Sequence, residues 1–148
     1  MLVACGGSGD TTIDITHDPC SNVTLGSSAN ASQMAGIDGA IGLWGGRGIP
    51  LARVAELPAI EIVFERASEA FRGLYDDETG VIHINDGLTE LAPLSIVIAH
   101  ELGHAFGLPH ITGRASVMNS GNLVTPPNEE DLAALEALWG QCEPLQLE

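Results

Sequence analysis

The fold of this chain is decided by one stretch of eleven residues, His100-Glu101-Leu102-Gly103-His104-Ala105-Phe106-Gly107-Leu108-Pro109-His110. Residues that are four apart on a helix differ by only about 40° around its axis, so His100 and His104 point the same way. Gly107 tolerates the left-handed conformation that ends a helix, and the chain can then double back. His110 would therefore approach from another direction, and the spacing predicts that the three imidazoles share one metal ion.

The predicted metal is a catalytic zinc ion. Neutral nitrogen ligands on three sides with one open position are typical of catalytic rather than structural zinc sites. Glu101 is rotated by about 100° from His100, so it reaches a water at the metal more easily than the metal itself. We therefore interpret Glu101 as the general base of a hydrolysis reaction. The alternative is a helix with ordinary core histidines.

The residues around this stretch favour a buried active-site helix. Pro93 suits the first turn of a helix, and the apolar segment from Leu94 to Ala99 continues directly into His100. Met118 follows His110 by eight residues. At that position it could form a soft, apolar floor beneath the metal ligands.

Length and charge restrict the domain organisation and the partners. A chain of 148 residues is expected to form one domain, which we assign to residues 11–146 behind a flexible leader, residues 1–10. The net charge of −15 excludes nucleic acids and anionic membranes as favoured partners. The longest apolar stretch is too short to span a bilayer. The number of subunits cannot be read from the sequence.

The cysteines suggest an envelope or extracellular location. Leu2-Val3-Ala4-Cys5 before a glycine-rich run resembles the end of a bacterial lipoprotein signal, which would make Cys5 a lipidation site. The alternative is a floppy terminus with a free thiol. If Cys5 is an anchor, Cys20 and Cys142 remain as a pair, and a disulfide between them would tie the N-terminal segment to the C-terminal helix.

The rest of the chain is predicted to alternate strands and helices. Apolar alternation, helical spacing and cap residues predict strands at 11–16, 59–65 and 81–85, a helix at 27–44, and a C-terminal helix that begins near 126–131 and ends before Gly140. The acidic turn at 76–80, together with Asp86, could bind Ca²⁺, although a solvated turn is the favoured interpretation. His83 is interpreted as a strand residue rather than a ligand.

The pattern HExxHxxGxxH followed by Met118 resembles the metzincin clan of metallopeptidases, and the C-terminal helix is most similar to that of matrixins. The resemblance covers about residues 81 to 140 and implies a small α+β fold. Such a fold has a twisted mixed sheet with an antiparallel edge strand, an active-site helix and a C-terminal helix. The edge strand pairs with extended substrate in that clan, and the resemblance assigns this role to Val81–Asn85.

The sequence departs from the familiar subfamilies at Ile111, after the third histidine, and at Ser120, two residues past Met118. It is most similar to a compact bacterial matrixin-like enzyme without a subfamily. The implied function is a secreted or lipid-anchored zinc endopeptidase that acts on peptides or proteins. Two alternatives stay open, namely a zinc-containing peptide-binding module without turnover and an amidase that acts on a non-protein amide.

Overall fold

The computed structural model describes residues 2–3 and 12–142, and it contains six strands and three helices in those ranges. In chain order the elements are β1 (Leu2–Val3), β2 (Val23–Gly26), α1 (Ala31–Gly45), β3 (Leu51–Arg53), β4 (Ile60–Glu65), β5 (Gly73–Asp76), β6 (Val81–Asn85), α2 (Leu91–Ala105) and α3 (Glu129–Trp139).

The strands form one mixed sheet in the order β1-β5-β6-β4-β2-β3. Strands β3, β2, β4 and β6 run parallel to one another, whereas β5 runs antiparallel to β6 and to β1. The sheet therefore has the predicted mixed character. Val81–Asn85 is not the edge strand, however, because it lies between β4 and β5. The assignment of the antiparallel edge role to Val81–Asn85 was wrong. The antiparallel strands at this end of the sheet are β5 and, at the edge itself, the two-residue β1.

The turn between β5 and β6 explains this correction. Gly80 adopts a φ of 75°, and its N–H donates to the carbonyl of Asp76 over 2.7 Å. A tight turn of this kind returns the chain antiparallel to itself, so β5 and β6 form a hairpin. The side of β5 away from β6 pairs with Leu2–Val3 at Tyr75 and Asp76. Gly73 and Leu74 have no strand partner on that side in the described part of the chain.

Both long helices pack together and against the sheet. Gly36 and Gly39 of α1 leave room for Leu94 and Ser95 of α2, because a side chain at either glycine would overlap those residues. The α2 segment from Leu94 to Ala105 is buried, as the nearly all-apolar sequence predicts. The core is mostly aliphatic, and two of its aromatic members, Trp44 and Phe106, meet edge to face.

The predicted helix boundaries agree with the structure to within a few residues. Asn30 caps α1 in a reciprocal pair with Gln33, so the helix begins at Ala31 rather than near residue 27. Asn128 and Asp131 form the corresponding pair at the start of α3. Gly140 follows α3 with a φ of 84° and ends it, as expected.

The strand predicted at 11–16 was wrong, because residues 12–16 form no strand. The backbone N–H groups of Asp14 and Ile15 both donate to Asp77, one to its carboxylate and one to its carbonyl. Two hydrogen bonds to a single residue attach the segment, but a β-strand needs hydrogen bonds to several successive residues of a partner strand. The Tyr75 hydroxyl donates to the Ile15 carbonyl at 2.7 Å and completes this attachment.

A disulfide joins Cys20 to Cys142 and connects the segment before β2 to the segment after α3. This is the pair that remains when Cys5 is set aside. Cys5, most of the predicted leader and the last residues of the predicted domain lie outside the described residues. No helix in the described ranges is long and apolar enough to cross a membrane.

Candidate metal centre

The three predicted histidines lie together at the C-terminal end of α2. His100 and His104 are buried on successive turns, and their ring centroids are 4.9 Å apart. Gly107, with a φ of 103°, turns the chain so that the His110 ring lies 5.2 Å from that of His100 and 5.0 Å from that of His104. One ligand nitrogen from each ring lies within 4.8 Å of the others.

Hydrogen bonds to carbonyl groups fix the orientation of two of these rings. His100 Nδ1 donates to the Val117 carbonyl and His104 Nδ1 donates to the Leu108 carbonyl, both over 2.7 Å. A ring that donates through Nδ1 presents Nε2 as its metal-binding nitrogen. His104 Nε2 is buried and has no hydrogen-bond partner. A buried nitrogen without a partner is costly unless a metal ion or another group binds it, so the site fits zinc.

Burial keeps these histidines neutral. Together with the neighbouring imidazoles, it lowers the pKa of His100 to about 4 and the pKa of His104 to about 3. Burial also lowers the pKa of His110. Uncharged imidazoles have a lone pair available for a metal at neutral pH.

Glu101 is buried next to His100, and both residues line a cavity that is described below. Strand β5 passes close to Glu101 because residue 73 is a glycine. A Cβ atom at Gly73 would lie 3.2 Å from Glu101 Cγ and 2.9 Å from Val97 Cγ1. Gly73 was not predicted as a site residue, although a glycine at the start of a strand is a signal of a close backbone approach.

Met118 lies beneath the metal ligands. Its sulfur occupies the space that a side chain at Gly103 would need, and Gly103 lies between His100 and His104 on α2. The absence of a side chain at Gly103 therefore allows the methionine to pack directly against the helix that carries two ligands.

Asp131 holds the segment that contains Met118. This fully buried carboxylate accepts hydrogen bonds from Ser116 Oγ at 2.5 Å, from the Val117 N–H at 2.9 Å and from Arg114 at 3.0 Å. The Val117 carbonyl in turn accepts the bond from His100. The sequence showed Asp131 only as an acid in the first turn of a helix and missed this contact.

A cavity of about 490 Å³ opens beside His100 and Glu101. Its walls come from three segments, namely the residues before and at the start of β5, one face of α2, and the loop after Met118. The lining residues are Ser68, Ala70, Phe71, Arg72, Gly73, Leu74, Val97, His100, Glu101, Ser120, Gly121 and Asn122.

Other candidate residues lie away from this centre. His83 contacts Glu65 at 2.8 Å on the sheet, as a strand residue would. In the described ranges, the three histidines are the only group of three or more His, Cys, Asp or Glu residues arranged to hold a metal ion. For the turn at 76–80 with Asp86, a solvated turn stays the favoured interpretation and calcium binding the alternative.

Comparison with known proteins points to one group of enzymes. The family model for matrixins matches residues 74–140. The fold is similar to the crystal structure of myroilysin, with a TM-score of 0.64 and 11% identity over 86% of this chain and 87% of that one. It is also similar to high choriolytic enzyme 1, a hatching enzyme zinc-protease from the medaka fish Oryzias latipes. That TM-score is 0.52, with 13% identity over 85% of this chain and 94% of that one. No curated protein matches the sequence.

Proposed function

We propose that this chain is a matrixin-like metzincin and a zinc-dependent metalloendopeptidase, in which His100, His104 and His110 bind the zinc while Glu101 acts as general base. The observation that carries the assignment is the approach of three ligand nitrogens to within 4.8 Å of one another at the end of α2. The buried Nε2 of His104, which has no hydrogen-bond partner, supports it.

Zinc at this position supplies a Lewis acid, which acidifies a water and polarises the peptide carbonyl. The carboxylate of Glu101 accepts the proton of the attacking water and then delivers it to the departing amine. Its position one residue after His100, on the wall of the cavity, supports this role. Burial excludes bulk water from the carboxylate, so the proton stays available for the amine.

The substrate is proposed to bind as an added strand. Gly73 and Leu74 of β5 border the cavity, and no described strand pairs with their outer side, where an extended peptide would bind. Strand addition fixes the peptide through main-chain hydrogen bonds and sends alternate side chains towards the enzyme. The side chain that follows the cleaved bond would enter the cavity beside Glu101. Such binding suits segments of peptide or protein that are unfolded or locally extended.

We place the enzyme outside the cytoplasm. The Cys20–Cys142 disulfide supports this location, because disulfides persist in oxidising compartments. Lipidation of Cys5 is a further part of the proposal, and it rests on the lipoprotein-like sequence around that residue. A lipid anchor would hold the catalytic domain at the cell envelope.

Cleavage of an internally quenched peptide tests the proposed chemistry. We expect zinc-loaded protein to cleave it, a chelator to stop cleavage, and added zinc to restore it. Glu101→Gln should lower kcat by about a hundredfold or more, because it removes the general base while keeping the side-chain size. Glu56→Gln, at an exposed loop position, is the matched control and should retain full activity. Chelator-resistant cleavage, or a fully active Glu101→Gln variant, would contradict the proposal.

A further inference from the structure

We propose that Arg72 makes the cavity beside Glu101 a subsite for a carboxylate, so that the enzyme prefers a glutamate directly after the cleaved bond. This inference rests on the proposed function and specifies its substrate class.

Arg72 is held at one end of the cavity. It immediately precedes β5 and is one of the lining residues. Its backbone is fixed by Asn85, whose N–H donates to the Arg72 carbonyl at 2.9 Å and whose side chain donates to the Phe71 carbonyl at 2.7 Å. The Arg72 guanidinium then crosses to the opposite wall and donates to the Gly121 carbonyl at 3.3 Å. The charge is therefore positioned by both walls of the cavity.

In the described ranges, no acidic side chain forms an ion pair with Arg72. Arg53 is paired with Asp38, and Arg114 is paired with Asp131. Within the described ranges, Arg72 contacts the Gly121 carbonyl and no carboxylate. A guanidinium has five N–H donors, so most of its donors remain for a ligand.

The cavity favours an apolar stem that ends in a negative charge. Val97, Phe71 and Leu74 contribute apolar walls, which suit the methylene groups of a side chain. A planar guanidinium binds a carboxylate through two parallel N–H groups, and this geometry separates a carboxylate from an amide of the same shape. Glutamate offers both the stem and the carboxylate, whereas glutamine offers only the stem.

A carboxylate could also come from the C-terminus of a short peptide. We assign the side chain as the source because the outer side of β5 at Gly73 and Leu74, which pairs with no described strand, suits a peptide that continues beyond the cavity. The experiment separates these sources with peptides that have an amidated or a free C-terminus.

The test compares two peptides that differ only by Glu or Gln after the cleaved bond, both extended and amidated. We expect wild type to prefer the Glu peptide in kcat/KM by about fivefold, as for a solvent-accessible charge pair, and to lose this preference as salt rises. Arg72→Gln should bring the ratio to about one, and Arg72→Glu should make a Lys peptide the better substrate. Arg66→Gln, at an exposed arginine outside the cavity, should keep the wild-type ratio.

A binding measurement keeps this inference separate from the chemistry. Fluorescence anisotropy with zinc-loaded Glu101→Ala protein should give a lower Kd for the Glu peptide than for the Gln peptide. The combination Glu101→Ala with Arg72→Gln should remove that difference. If wild type cleaves neither peptide, the proposed function fails, and the Kd values still test the role of Arg72.

Three outcomes would overturn the role of Arg72. The first is a wild-type ratio of kcat/KM between the Glu and Gln peptides near one, and the second is a preference for the Glu peptide that survives in Arg72→Gln. The third is a Gln peptide that ends in a free carboxylate just after the cleaved bond and binds more tightly than the amidated Glu peptide. If Arg72→Gln fails to fold, the salt dependence of the wild-type ratio decides, because an uncharged contact would not respond to salt.

Discussion

Gly73 controls the distance between β5 and the proposed general base. Gly73→Ala would push its new methyl group towards Glu101 Cγ and Val97 Cγ1, at 3.2 and 2.9 Å. We expect kcat/KM for peptide cleavage to fall by about tenfold or more, because small displacements of reacting groups are costly. Steady-state kinetics with the quenched peptide measures the effect.

Gly42→Ala is the matched control for this substitution. It lies in α1, where nothing comes within 4 Å of an added Cβ. We expect unchanged kinetics and a gain of about 0.5–1 kcal/mol in the free energy of unfolding, since alanine is the better helix former. A Gly73→Ala enzyme as active as Gly42→Ala would show that the close approach of β5 is unimportant.

Tyr75 provides a prediction about pH. Burial, together with the charges of Asp77 and Asp76, raises the pKa of Tyr75 to about 12. The unfolded chain loses this proton near pH 10. The contribution of the protonated Tyr75 hydroxyl to the free energy of unfolding is therefore complete below about pH 10 and is lost as the pH rises towards 12.

The single tyrosine of the chain makes this testable by ultraviolet absorbance of tyrosinate. The folded protein should titrate about two pH units above the protein in denaturant, and Tyr75→Phe should show no titration. Coincident titration of the folded and denatured protein would contradict the burial of the hydroxyl that donates to the Ile15 carbonyl.

Among the secondary-structure elements, α3 supports the metal site through its first turn. Asp131 connects α3 to Val117, which in turn accepts the bond from His100. Asp131→Asn leaves Arg114 without its buried charged partner. We expect the free energy of unfolding to fall by about 2–4 kcal/mol and zinc affinity to fall as well.

Denaturant unfolding and competition with a zinc-binding dye measure these two effects. Glu130→Gln is the control, because Glu130 is 70% exposed and lies 3.5 Å from Arg114. Its free energy of unfolding should change by about 0.5 kcal/mol or less. If zinc affinity is unchanged in Asp131→Asn, the residue stabilises the fold without positioning His100.

Periodicity predicted the elements better than it predicted their arrangement. The active-site helix, the C-terminal helix and strands β4 and β6 were predicted because their apolar spacing and cap residues are local signals. The direction and neighbours of β6 depend on pairing with β4, which is remote in sequence, so the edge strand was misassigned. Strands β2 and β3 have only four and three residues, too few for a clear alternation.

The same distinction holds for the site. The three histidines were predicted because ligand spacing on one helix is fixed by its geometry. Gly73 and Asp131 were missed because each acts through a neighbour in space that the sequence does not identify. Their roles follow from tertiary contacts with Glu101 and Val117.

For the whole molecule, the disulfide closes almost the entire domain into a loop. Cys20 and Cys142 are 122 residues apart, so the bond strongly restricts the unfolded chain. We expect the double variant Cys20→Ser/Cys142→Ser to lose about 4 kcal/mol of unfolding free energy. Reductant should destabilise wild type by a similar amount. Equal stability with and without the bond would contradict this expectation.

Two of the three segments that line the cavity also have a consequence for redesign. One comprises residues 68–74 and the other residues 120–122, and neither contributes an imidazole. Exchange of the residues in either segment would therefore change which peptides are cleaved, while the histidines and Glu101 are kept. A library of variants limited to the nine positions of these two segments other than Gly73 is the natural starting point for a protease with a chosen target.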